Sequence, residues 1–231
     1  MKSNEKRKKR KKFRVNTPWI LLYEFIRFTG AIPMAIFMRP KIIRLSKSKQ
    51  KIKGAIIMAN HATFLDPIML QYTHIPRRVW SLATKELFSN PLKKFIFKGF
   101  LCIPVDRENM NIDTYKSVSS VLQAGKLLAM FPEGRINDED DAEVKKFKGG
   151  VALFAIMNKA PIIPVYIVKK TKWHQRQKII IGEPVFLENI CNGTPSIKDM
   201  EYVSEYLHNK EEELANYYET NYAKKERKNG K

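Results

Sequence analysis

AIIMANHATFLDP, residues Ala55 to Pro67, decides how the rest of the chain is read. Its first five residues, Ala55 to Ala59, form an unbroken apolar run, short enough for a strand buried on both faces. At its far end Asp66 stands before Pro67. Proline suits the first turn of a helix and pushes the residue before it out of the α region, so Asp66 reads as an N-cap. A buried strand passing through a short connection into a helix is the unit from which parallel α/β sheets are built.

Outward from this stretch the same alternation repeats. VWSLAT (Val79 to Thr84), LCIPV (Leu101 to Val105), LLAMF (Leu127 to Phe131), IIPVYIV (Ile162 to Val168) and KIIIG (Lys178 to Gly182) read as further strands. Between them DTYKSVSSVLQAG and KGGVALFAIMNKA carry helical spacing and end in turn-formers or a proline. The expected fold is α/β, a mostly parallel sheet flanked by helices, preceded by an N-terminal membrane-associated helical segment. A last amphipathic, charged helix over roughly Ser196 to Tyr222 is expected to be a surface element. No internal repeat is present.

Composition limits what such a domain can do. With 231 residues, 44% of them hydrophobic, the chain can bury a substantial core as one domain. Lys and Arg number 43 against 23 Asp and Glu, a formal charge of +20 that predicts attraction to a polyanion: nucleic acid, a membrane surface or a phosphorylated substrate. Two cysteines, Cys102 and Cys191, match neither a disulfide framework nor a zinc pattern and fit a reducing, cytosol-facing location. The basic blocks at the two ends repel themselves, so residues 1–17 and 223–231 are expected to be disordered tails. Residues 18–45 are assigned to the membrane-associated segment and 46–222 to the catalytic domain.

WILLYEFIRFTGAIPMAIFM (Trp19 to Met38) is apolar, but Glu24 and Arg27 interrupt it, and Gly30 and Pro33 break helical continuity. Its Leu, Ile and Phe residues favour insertion by roughly 3 to 5 kcal/mol, and two ionised side chains oppose it by up to about 5, so the sum is near zero. The segment reads as monotopic, two short helices hinged at TGAIP and lying in one leaflet at the cytoplasmic face. A buried core helix is the alternative. Basic flanks, which attract anionic lipid, favour the membrane reading.

The connection after Ala59 carries the chemistry. A histidine is a general base near neutral pH, and a carboxylate on its other nitrogen fixes the tautomer and stabilises the imidazolium. His61 and Asp66 stand five positions apart, a spacing that on a continuous helix would separate them by about 140 degrees, so they meet only if the connection bends. The carboxyl ends of strands in α/β sheets are where ligands gather. The spacing alone is weak, since some His followed five residues on by Asp is expected by chance with probability of about 0.12 in this composition.

Three downstream blocks change the weighing. NHATFLDP, GFLCIPVDR (Gly99 to Arg107), FPEGR (Phe131 to Arg135) and APIIPV (Ala160 to Val165) resemble, in order, the four motif blocks of the glycerolipid acyltransferases, closest to the lysophosphatidate acyltransferases. TKELF (Thr84 to Phe88) and FKGG (Phe147 to Gly150) are similar to secondary features of that family. The resemblance implies transfer of an acyl group from a thioester of acyl carrier protein or coenzyme A to the sn-2 hydroxyl of lysophosphatidate. Phosphatidic acid is the implied product, no cofactor beyond the donor is implied, and the expected partners are anionic lipid, the thioester and a lysophospholipid. It assigns His61 as base, Asp66 as its orienter and Lys85 as a donor to the oxyanion. Arg107, Glu133, Gly134, Arg135 and Lys148 are assigned to substrate, the arginines to its phosphate and Glu133 to glycerol.

Two other readings stand beside this one. The same chemistry on glycerol 3-phosphate or another lysolipid would leave nearly the same sequence. A basic nucleic-acid-binding module would explain the charge, but the chain lacks interleaved aromatics and any nucleic-acid signature, so no nucleic acid is expected as a partner. His74, His174 and His208 have no comparable carboxylate and are read as structural.

Overall fold

A computed structural model describes residues 18–46, 52–61, 63–106, 112–133, 149–169, 176–188 and 195–223. The expected tails, apart from Ala223, lie outside the described residues, as do Arg107, Gly134, Arg135, Lys148, His174 and Cys191.

Seven strands form one sheet: β1 (Lys41–Arg44), β2 (Ala55–Ala59), β3 (Val79–Thr84), β4 (Cys102–Val105), β5 (Leu127–Met130), β6 (Ile162–Ile167) and β7 (Lys178–Ile181), in spatial order β1-β7-β6-β2-β5-β3-β4. Five strands, from β6 across to β4, run parallel. β7 turns back antiparallel to β6, and β1 lies parallel to β7. Six of the strands fall on the six apolar runs of the sequence. β1 does not: KIIR is a short edge strand with charged ends and mostly exposed residues, and a basic rim of this kind discourages pairing with another sheet. It draws the sheet into the segment expected to stand apart from it.

β2 is central and every residue of it is buried. Its pleat sends Ile56 and Met58 to one face and Ala55, Ile57 and Ala59 to the other. The first face packs against α4 (Ile112–Gln123), α5 (Gly150–Asn158) and α6 (Ile197–Tyr218), through Val118, Phe154 and Leu207 among others. The second packs against α2 (Asp66–Thr73), through Met69 and Leu70. Two covered faces explain why the central strands read as continuous apolar runs rather than as alternation. α6 starts at a capping box, Ser196 and Asp199 each bonding the other's backbone N–H, and continues into a π-helical turn over Glu219–Ala223.

The N-terminal segment departs from expectation. It is one helix, α1 (Trp19–Phe37), with Pro33 inside and no break at TGAIP. An interior proline loses its own amide bond and crowds the carbonyl four residues back, yet the helix continues through Pro33 to Phe37. The two charges that interrupt the apolar run are turned toward the protein body: Glu24 pairs with Arg27 at 2.5 Å and with Arg78 at 2.7 Å, and Arg27 also donates to the Pro76 carbonyl. Tyr23 is fully buried beside them. The opposite side shows Leu21 (77% exposed), Phe25 and Phe28 (81%) to solvent. No helix among the described residues is long and apolar enough to cross a membrane.

Candidate active site

β2 and β5 are neighbours, with Met58 opposite Met130, so the segments leaving their carboxyl ends run side by side. One carries Asn60 and His61, the other Phe131 and Glu133. Asn60 fixes the exit of β2: its amide nitrogen donates to the Ile167 carbonyl at 2.9 Å, and its oxygen accepts from the Ile167 N–H at 2.7 Å. These paired bonds tie the connection to the end of β6 before His61 is reached.

The connection then bends. His61 Nδ1 lies 3.0 Å from Asp66 Oδ2, with the Asp66 side chain fully buried and His61 partly so. Asp66 is the first residue of α2 rather than its cap, since Leu65 takes the cap position; one residue of difference at a helix end is ordinary. The shift has a chemical consequence. The Asp66 carboxylate points back into the loop, where Oδ2 accepts from the Thr63 N–H and Oδ1 accepts from the Thr63 hydroxyl, each at 2.7 Å. Because Asp66 accepts at Nδ1, that nitrogen carries the proton, and Nε2 presents its lone pair as a base. The ring is held further by stacking on Phe131, centroids 4.2 Å apart at 21°. The His61 backbone N–H donates to Glu133 Oε2 at 3.3 Å, linking the two motif segments.

Three of the expected site residues are therefore brought together: His61, Asp66 and Glu133. Lys85 is not brought to them. It begins a 3-10 turn after β3, is half-exposed, and donates to Asp106 Oδ2 at 2.9 Å. β5 stands between β3 and β2, which separates their ends by two strand spacings, about 10 Å. His74 takes the C-cap position of α2, and burial pushes its pKa down to about 4. Burial pushes the Cys102 thiol up to about 12, so it is protonated and poorly suited as a nucleophile.

Sequence reasoning missed Thr63, Asn60 and Glu211. For Thr63 a signal existed, the Thr-x-x-Asp spacing of residues 63 to 66, which lets the carboxylate reach back to accept from the N–H and hydroxyl three residues earlier. For Glu211 there was none. It lies on α6, and its Oε2 is buried with no hydrogen-bond partner among the described residues. Burial first, then the charges of Glu133 and Glu212, push its carboxyl up to about 8. α6 thus buries a carboxyl oxygen within electrostatic reach of Glu133 instead of forming a purely solvated surface.

A family model described as Acyltransferase matches residues 42–168, more than half of the chain. A 1-acyl-sn-glycerol-3-phosphate acyltransferase of Bacillus subtilis is 29% identical over 168 residues, covering 71% of this chain and 82% of the relative. One of Streptococcus pneumoniae is 30% identical over 141 residues, covering 58% of this chain and about half, 51%, of the relative. The crystal structure of the 1-acyl-sn-glycerophosphate (LPA) acyltransferase PlsC from Thermotoga maritima shares the fold, with a TM-score of 0.57 at 21% identity, over 85% of this chain and 81% of that one.

Proposed function

The chain belongs to the acyltransferase family, and from that premise we propose that it esterifies the sn-2 hydroxyl of lysophosphatidate with an acyl group from a thioester, giving phosphatidic acid. The observation that carries the reading is the His61–Asp66 contact of 3.0 Å, built on a fully buried carboxylate at the carboxyl end of the central strand. The substrate class follows the names of the relatives, and Arg135 of FPEGR and Arg107 of PVDR offer guanidinium groups suited to a phosphate.

The acceptor hydroxyl gives its proton to His61 Nε2 as its oxygen attacks the thioester carbonyl. Asp66 holds the ring and stabilises the imidazolium; a positioned base of this kind contributes about 10² to 10⁴ in rate. The tetrahedral intermediate collapses, the C–S bond breaks, and the imidazolium returns the proton to the departing thiolate. The acceptor attacks directly, so no acyl-enzyme forms and no cofactor beyond the donor enters. Glu133, tied to the His61 backbone, orients the glycerol, with Gly134 giving close approach to the backbone. Arg107 and Arg135 supply guanidinium forks for the phosphate, with Lys148 as a further cation. Lys85, engaged by Asp106, enters as a cation at the same end of the sheet rather than as a direct oxyanion donor.

The acceptor is a lipid, and α1 provides the means to meet it. Its charges are spent on the protein body and its apolar stripe faces outward, the arrangement for monotopic docking at the cytoplasmic face. The test is to incubate purified protein with lysophosphatidate, glycerol 3-phosphate or another lysolipid, and with acyl carrier protein and coenzyme A thioesters, and identify the lipid formed. Acylation of glycerol 3-phosphate in preference to lysophosphatidate would replace the acceptor; no transfer to any acceptor would sink the reading.

A further inference from the structure

The helix that follows Lys85 is out of place in a water-facing surface. α3 (Pro91–Gly99), sequence PLKKFIFKG, buries only Gly99. Its residues 91–96 are all exposed, and among them Leu92 (68% exposed), Phe95 (51%) and Ile96 are large and apolar. Asn90 caps the helix, accepting from the Leu92 N–H at 2.8 Å, so the element is well formed although little covers it. Lys93, Lys94 and Lys98 lie among the apolar side chains, and no acidic residue occurs on the helix.

α3 is joined to α1. Phe95 meets Trp19 edge-to-face at 5.5 Å between centroids, and Lys98 Nζ sits 5.4 Å over the same Trp19 ring. Gly99 permits the closest approach, for a Cβ there would stand 2.9 Å from Leu22 Cδ2. Trp19, Leu22 and Ile26 therefore face α3, and Leu21, Phe25 and Phe28 lie roughly 125 degrees further round α1. Both helices of the packed pair therefore carry large apolar side chains exposed to solvent, Leu92, Phe95 and Ile96 on α3 and Leu21, Phe25 and Phe28 on α1.

We propose that α3 is a second membrane-docking element, which inserts Leu92, Phe95 and Ile96 beside α1 into an anionic bilayer while Lys93 and Lys94 engage the headgroups. The inference rests on the monotopic reading of α1 and extends it. The all-cationic polar complement selects the occupant: anionic lipid gains from each lysine, and apolar side chains of this size gain by leaving water. The position matters for catalysis. α3 begins just beyond the carboxyl end of β3, parallel in the sheet to β2, so it starts at the same end as His61 and the exposed Phe64 and Leu65 of the catalytic connection. Docking through α3 turns that end of the sheet toward the layer from which the acceptor comes.

The test is vesicle flotation of the full chain on phosphatidylcholine with and without about 30% phosphatidylglycerol, the anionic fraction supplying the charge term. Compared with wild type are Leu92→Ser/Ile96→Ser, Lys93→Glu/Lys94→Glu and, in α1, Leu21→Glu/Phe28→Glu, each checked for an unchanged Tm. Both α3 variants are expected to lose at least roughly tenfold in partitioning onto anionic vesicles. If both float as wild type does while the α1 variant is released, α1 docks alone and the inference falls while the monotopic reading stands. If wild type fails to float, the monotopic reading itself fails. If vesicle binding is unchanged and only turnover with the carrier-protein thioester drops, α3 is a protein-docking surface and the proposal is overturned.

Discussion

Glu211→Gln removes one titrating proton and little else, because glutamine matches the shape of a protonated glutamic acid. In the folded protein the Glu211 carboxyl is raised from an ordinary 4.5 to about 8, by burial and then by Glu133 and Glu212. A raised folded value means that folding favours the protonated form. The contribution is complete below about 4.5, where both states hold the proton, and is lost as pH rises through 8. Spread over this interval, at 1.36 kcal/mol per pH unit, the limit is on the order of 5 kcal/mol; relaxation and water entry reduce it to about 3. At pH 5 the variant and wild type should differ by less than about 1 kcal/mol, and by pH 8.5 the variant should be the more stable by about 3, which for a domain of this size is about 6 to 12 °C in Tm. The assay is urea unfolding and thermal melting of both proteins from pH 5 to 9. Their difference is the readout, since the fall in net charge with pH acts on both alike. A difference that stays flat across the range would show that Glu211 is an ordinary surface carboxylate and that α6 does not bury its carboxyl.

Other outcomes follow from the same geometry. Asp66→Asn keeps the volume but offers an amide where Nδ1–H needs an acceptor; kcat should fall by about 10² to 10⁴ with little change in KM for the acceptor, and an unaltered kcat in steady-state assays would remove Asp66 from the mechanism. His74 is held neutral down to about 4, so its contribution is present above 6.5 and is lost as pH falls through 4; His74→Gln should flatten the acid limb of the stability curve by about 2 to 3 kcal/mol between pH 6.5 and 4, read from the urea midpoint. Gly54→Ala forces a Cβ to 2.2 Å from the Leu122 carbonyl oxygen at a φ of +61°, just ahead of β2; a loss of about 3 kcal/mol or more by urea unfolding is expected, and a loss below about 1 would refute the clash.

Much of the sheet was legible because its central strands are buried on both faces and carry nothing but apolar residues. Where one face is open the signal fades. β1, exposed and bracketed by lysine and arginine, reads as a basic flank, and α3, with lysines beside exposed apolar side chains, has no buried stripe to announce it. The continuity of α1 was hidden for a different reason. Gly30 and Pro33 are local breaking signals, whereas the pairing of Glu24 with Arg78, 54 positions away in sequence, holds the helix onto the body. In the site, His61 and Asp66 were found through a bend inferred from Pro67, and Glu133 through its motif. Glu211 was illegible because its significance comes from α6 folding back over the sheet, a long-range contact that no local spacing reports.

The most direct measurement is single-turnover acyl transfer to lysophosphatidate by wild type and His61→Ala, with product lipid identified by mass. Loss of phosphatidic acid formation by the variant, at unchanged Tm and vesicle binding, is the result expected of a base that takes the acceptor proton. Wild-type rates in the His61→Ala protein would contradict it.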